Sequence, residues 1–182
     1  EMERLPEAMP IAAKQMMRAG VTSGLDLGAP FQILEFRERI RRGEIPGPRL
    51  TVSGPWITRI EMAGIPDAYE EVVDSSEEAA RRTRELIAAG SDVIKTWAGL
   101  TEADYRAIVN AAHPEGVKAH AHLYDPDAIH AALNAGVDVF QHVGSARNPP
   151  YDEALVSQIA QKSIPIVQTI SHRIWVYPAT VE

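Results

Sequence analysis

Two hydrophobic periods take turns along the chain. Stretches 7–19, 31–42, 76–89, 102–113, 126–135 and 152–162 carry apolar residues at helical spacing. Each gives way to a short apolar run of strand type: 21–27 (VTSGLDL), 49–53 (RLTVS), 92–97 (DVIKTW), 117–122 (VKAHAH), 137–143 (VDVFQHV) and 164–170 (IPIVQTI). Local signals mark the helix ends. Ser75 and Glu78 have capping-box spacing, Leu86 and Ile87 extend a stripe from Ala79 and Thr83, and Gly90 is placed to close that helix. Asp125-Pro126 reads as N-cap plus first helical residue, with Gly136 as the stop. Tyr105, Ile108, Val109 and Ala112 give the helix between them its buried face. A phrase recurs at the helix-to-strand turn: Ala89–Val93, Ala135–Val139, and a shorter echo at Ala19-Gly20-Val21.

Helices alternating with strands through short connections predict a mostly parallel sheet covered by helices. A doubly wound nucleotide-binding sheet would carry G-x-G-x-x-G or a P-loop after a strand, and the chain has neither. The other architecture, a (β/α)8 TIM barrel, takes about 250 residues and eight strands. Six strand-like runs in 182 residues therefore predict a partial TIM barrel, about strands 2 to 7, with residues 1–182 forming its central part. One connection is long. Between the strand ending at 53 and the helix beginning at 76 lie Pro55, Trp56, Met62, Gly64, Pro66 and Tyr69, the composition of a lid or substrate loop.

Composition removes several function classes. With 25 acidic residues against 18 basic ones the formal charge is −7, so a nucleic-acid partner would need a local basic patch. The arginine clusters 37/39/41/42 and 81/82/84 are interleaved with Glu on helical stretches and read as solvated faces. No nucleic acid is expected. No apolar run reaches the roughly 18 residues of a membrane-spanning helix, and EMERLPEAMP does not look like a signal peptide. Neither a membrane partner nor a compartment is indicated. Cysteine is absent, which leaves the six histidines as the soft ligands.

Three successive strands end in groups foreign to an apolar core: Lys95, His122 and His142. Each separation is one helix-plus-strand unit, so adjacent strand ends would set all three around one pocket. Strict alternation pairs Val93 with Lys95, His120 with His122, and Phe140 with His142 on one face each. A buried lysine persists if paired, if used as a nucleophile, or if carbon dioxide converts it to a carbamate. The carbamate is anionic and has two oxygens suited to bridging divalent metals. Neighbouring imidazoles are the commonest zinc ligands of catalytic sites.

On these strings the chain resembles the amidohydrolase superfamily, in its imidazolonepropionase-like and Xaa-Pro-dipeptidase-like branch. The matching runs are AGVTSGLDLG, RRGEIPGPRLTVSGPWIT, GSDVIKTWAG, EGVKAHAH and AGVDVFQHV, in family order over nearly the whole chain. The resemblance implies a carboxylated, metal-bridging role for Lys95 and metal-ligand roles for His122 and His142. His120 is the second choice for the middle ligand, and the spacing to the following AGVD turn selects His122. A His-x-His pair on the family's first strand and an aspartate on its eighth have no counterpart here, so the sequence is expected to be part of a longer enzyme.

The resemblance thus implies a hydrolase of a C–N bond in an amide, peptide or cyclic amide, with zinc as the expected metal and a small or dipeptide-like substrate. Tyr124 matches a tyrosine frequent in the branch and is a candidate substrate contact. Arg147 is placed to clamp a carboxylate, and His172 follows the last strand and is placed to face the pocket. Trp56 and Trp97 read equally as pocket lining or as packing. His113 and His130 read as exposed helix residues. Two other readings stay open on the residues alone: a Schiff-base lyase using Lys95, which leaves the histidines unexplained, and a non-catalytic α/β binding module. A homo-oligomer is compatible with both.

Overall fold

The computed structural model describes residues 2–143 and 151–169. Among them run six α-helices, each beginning and ending within about two residues of the sequence expectation. They are α1 (Leu5–Arg18), α2 (Gln32–Arg41), α3 (Ser76–Ala89), α4 (Glu102–Ala112), α5 (Pro126–Ala135) and α6 (Glu153–Gln161). The predicted caps form. Ser75 accepts from the Glu78 N–H, although the Glu78 carboxylate reaches back to the N–H of Asp74 rather than Ser75. Asp125 accepts from the N–H groups of Asp127 and Ala128. Gly90 and Gly136 take φ of 103° and 88°, the left-handed closure that glycine adopts without a Cβ penalty.

Eight strands alternate with these helices: β1 (Ser23–Asp26), β2 (Arg49–Val52), β3 (Trp56–Thr58), β4 (Glu70–Val72), β5 (Val93–Thr96), β6 (Lys118–His122), β7 (Val139–Gln141) and β8 (Ile166–Val167). Every pairing is parallel. This is the partial (β/α)8 barrel that the alternation predicts. The strands β3 and β4 fall inside the connection read as a loop, and that expectation is corrected. Residues 53–55 kink one long run into β2, which pairs with β1, and β3, which pairs with β4 and β5. The Asp92 N–H donates to the Val52 carbonyl and the Trp97 N–H to the Ile57 carbonyl, both at 2.8 Å, so both halves lie along β5. The ladder is thus continuous from β1 through the kinked strand and β5, β6 and β7 to β8.

Alternation sorts the side chains. On the outer face Ile57, Ile94, Ala119, Ala121 and Phe140 pack under Leu86, Tyr105, Ile108, Ile129, Leu133 and Leu155 of α3 to α6. A second cluster, with Ala13, Ile33, Leu34, Phe36 and Val52, seats α1 and α2 on β2. The register aligns Lys95 with His120, His120 with Val139, and His122 with Gln141, which puts these groups on the opposite, inner face.

Two readings of basic residues change. Arg37 is not on a solvated face: it is buried and held by Glu38, the Gly90 carbonyl and Asp92, because α2 lies across the start of β5. The neighbouring Arg39, Arg41 and Arg42 do form exposed ion pairs. His113 is exposed as expected, yet its Nε2 lies 3.0 Å from the Asp138 carboxylate. No helix among the described residues is long and apolar enough to cross a membrane.

Candidate metal centre

Lys95 is brought to the mouth of the barrel by β5 with 2% of its surface exposed. Its Nζ has no hydrogen-bond partner among the described residues. No carboxylate or hydrogen bond among the described residues offsets the cost of burying the charge, and desolvation pulls its pKa down to about 7. A lysine in this state is substantially a neutral amine at neutral pH, the form that adds to carbon dioxide or to a carbonyl.

His122 ends β6. Burial first, then the neighbouring Lys95 and His142, pull its pKa down to about 3, so the ring is neutral. Its Nδ1 is buried and, like Lys95 Nζ, has no partner among the described residues. The His142 ring stands 4.8 Å from the His122 ring, centroid to centroid, at 63°. Its Nδ1 is hydrogen-bonded with Thr169 Oγ1 just beyond β8. The three predicted groups therefore share one mouth: Lys95 Nζ lies 5.6 Å from the Trp97 ring, and that ring stacks on His122.

The route by which His142 arrives differs from expectation. Phe140 lies on the outer, helix-covered face, and strict alternation would send His142 there too. Instead His142 has φ of 67°, a left-handed conformation that costs a non-glycine residue about 1 kcal/mol. That turn of the backbone at the strand end swings the imidazole inward. Gln141 is the residue of β7 that faces inward by alternation.

His120 lies one layer deeper than His122, as expected of the second choice. Gln141 Nε2 donates to its Nδ1 at 3.1 Å, which leaves the ring proton on Nε2. Burial, then Lys95, lower its pKa to about 4. The sequence reading missed Gln141 and Thr169. Each is an uncharged polar residue in an apolar strand-end run, a signal that becomes specific only when its histidine partner is known.

Tyr124 stands edge-on to His122, with centroids 4.7 Å apart, and stacks beside His142 at 5.7 Å. A cavity of about 470 Å³ opens beside His122, lined by Trp97, Leu100, Tyr105, Tyr124, Asp127 and Ala128. A larger one of about 770 Å³ lies against β1 and β2 and touches none of the three strand-end groups. Trp56 resolves in favour of the site: it stacks on Trp97 at 4.8 Å. Arg147 and His172 lie outside the described residues.

Two imidazoles and the Lys95 amine are the donors a divalent cation would draw on, and two of their nitrogens, Lys95 Nζ and His122 Nδ1, are buried without a partner among the described residues. No group of three His, Asp or Glu residues able to hold a metal occurs among the described residues, so a metal here would need a further donor, such as a modified Lys95 or a group outside them. The residues fit a metal as part of its shell.

Comparison with known proteins places this geometry. The model of the amidohydrolase family matches residues 2–172. Among solved structures, a Bifidobacterium longum protein provisionally named a prolidase is 29% identical, with a TM-score of 0.70 over 81% of this chain and 37% of its own. A prolidase solved with N-methylphosphonate-L-proline is 25% identical, with a TM-score of 0.71 over 85% of this chain and 44% of its own. An Aspergillus niger ochratoxinase at 22% identity shares the fold, with a TM-score of 0.80 over 92% of this chain and 46% of its own. The chain thus spans less than half the length of these structures. No curated protein gives a significant match.

Proposed function

Because this chain belongs to the amidohydrolase family, we propose that the protein containing it is a metal-dependent hydrolase of C–N bonds. Its substrates would be small amides or dipeptide-like molecules. Lys95, His122 and His142 would hold one or two divalent cations, zinc by the nitrogen-rich donor set. The bound cation supplies a water of lowered pKa and polarises the scissile carbonyl. In the reaction water adds to the carbonyl carbon, the C–N bond breaks, and the departing amine takes up a proton.

The chain's own residues prepare that site. The neutral fraction of the Lys95 amine would add carbon dioxide and lose a proton, giving an anionic carbamate that would attract a cation where an ammonium would repel it. The neutral His122 ring, with His142 beside it, would present lone pairs. Tyr124, edge-on to one ring and beside the other, would orient the substrate carbonyl or its oxyanion. The cavity beside His122 would take the apolar part of the substrate. Arg147 and His172 remain proposed substrate contacts from sequence. The prolidase and N-methylphosphonate-L-proline named above support N-acyl prolines as the first substrates to try.

The observation that carries this reading is the coincidence of two buried, partnerless nitrogens, Lys95 Nζ and His122 Nδ1, at one barrel mouth with His142. The test is hydrolysis of an N-acyl amino acid panel by the full-length protein. We expect turnover that a chelator abolishes, that added zinc restores, and that falls by at least about 10³-fold in Lys95→Ala. Turnover indifferent to both treatments would overturn the reading. Borohydride trapping of a carbonyl substrate on Lys95 in metal-free protein would favour the Schiff-base lyase instead.

A further inference from the structure

Three rings form a column behind the proposed ligands. Trp97 stacks on His122 with centroids 3.9 Å apart and planes at 21°. Trp56 stacks on Trp97 at 4.8 Å and 28°, and Tyr69 flanks Trp56 at 6.2 Å. Trp56 opens β3, Trp97 follows β5 and Tyr69 precedes β4, so the column draws three parts of the chain together behind His122.

What sets the orientation of an imidazole matters here, because the ring torsion of histidine is broad and two-fold when nothing restrains it. Metal-binding histidines are ordinarily fixed by a hydrogen bond from the second ring nitrogen. His142 is hydrogen-bonded at Nδ1 with Thr169 Oγ1, and His120 accepts at Nδ1 from Gln141 Nε2. Among the described residues neither ring nitrogen of His122 has a hydrogen bond, and Nδ1 is buried, so whichever nitrogen a cation takes, the other does not fix the ring. Its flat contact with Trp97 is the restraint in place of a hydrogen bond, and Trp56 stops Trp97 from yielding. The far end of the column is equally fixed. A Cβ at Gly28, beyond β1, would come within 2.6 Å of Trp56 Cζ3, so only glycine lets Trp56 seat where it does.

We propose that Trp97, backed by Trp56 and by the close approach at Gly28, is a positioning residue that fixes the imidazole plane of His122 for metal binding by stacking. The inference rests on the metal-centre reading above and assigns these residues no chemistry of their own. It explains why two large aromatics from separate loops are spent behind a ligand rather than on the outer core.

The experiment uses the full-length protein and measures zinc affinity by chelator competition, together with the visible d–d spectrum of the cobalt-substituted form. Trp97→Leu fills the space without a ring and is expected to weaken zinc by 10- to 100-fold, in line with the effect of losing an orienting partner, and to alter the cobalt spectrum. Trp97→Phe restores a ring and should recover most of both. Gly28→Ala, which touches neither ligand, should weaken zinc about three- to tenfold by displacing Trp56, and it decides the matter if Trp97→Leu fails to fold. Wild-type zinc affinity and an unchanged cobalt spectrum in Trp97→Leu or Gly28→Ala, with only KM raised, would overturn the inference and make the column a substrate wall. Wild-type protein that binds no zinc would overturn the metal-centre reading itself, a result distinct from equal binding by all variants.

Discussion

Lys95 and Asp104 are both buried ionisable residues, and they differ in company. Lys95 has no partner among the described residues, whereas Asp104 accepts from Arg59 Nε and Nη2, Ser76 Oγ, and the Thr101 N–H and Oγ1. Burial alone would raise the Asp104 pKa, but these hydrogen bonds outweigh it and hold the carboxyl at about 2. In the proposed reading the first residue serves chemistry at a cost in stability, while the second ties the loop after β3 to the starts of α3 and α4. Two outcomes follow. Lys95→Met should stabilise the metal-free protein by about 1–3 kcal/mol, read as a higher denaturation midpoint, while removing activity. Asp104→Asn should destabilise by about 2–3 kcal/mol. Because the folded-state pKa of Asp104 lies below the unfolded value of about 3.9, its contribution is present above about pH 4 and is lost as pH falls towards 2. Urea titrations of wild type and Asp104→Asn at pH 7 and pH 3 would show the difference between them shrinking. Lys95 was legible in the sequence because a strand-end lysine is conspicuous and two histidines repeat its spacing. The Asp104 cluster was not, since Arg59 and Ser76 meet it only through the fold.

At the scale of elements, the recurring Ala-Gly-x-Asp-Val phrase has a physical explanation. Its glycine closes the helix, and its aspartate docks the new strand to the one before. Asp92 Oδ2 accepts from the Val52 N–H at 3.0 Å, and Asp138 Oδ2 accepts from the Ala119 N–H at 2.8 Å. Asp138→Ala would leave that N–H unpaired and should cost about 1–3 kcal/mol by chemical denaturation. Asp138→Asn, which keeps an acceptor, should cost clearly less, and equal losses would contradict the docking role. The helices were legible almost to the residue because caps and periodicity agree there. The strands were less so. A kink at 53–55 and a left-handed His142 are backbone events that a two-residue alternation cannot anticipate, and they displaced Phe140 and added β3 and β4.

For the whole molecule, β4 and, at the two ends of the run of parallel strands, β1 and β8 are each paired on one side only among the described residues. Inner-face Leu25 and Val167, on these two end strands, are exposed. Open parallel edges with an uncovered inner face favour association. The 182-residue chain produced alone should therefore self-associate in size-exclusion chromatography with light scattering, and a monomer with one cooperative unfolding transition would contradict this. The barrel itself was legible from the alternation of elements, and the convergence of Lys95, His122 and His142 from their strand-end positions. The stacking of Trp56 and Trp97 behind His122 was not, because it depends on how a long connection folds back. The most direct measurement of the central claim is the metal content of the full-length protein, wild type against His122→Ala/His142→Ala, by elemental analysis after purification without added metal. The account predicts one or two zinc-class ions per wild-type chain and a loss of at least one in the double variant. Equal metal content in the two proteins, or none in either, would contradict it.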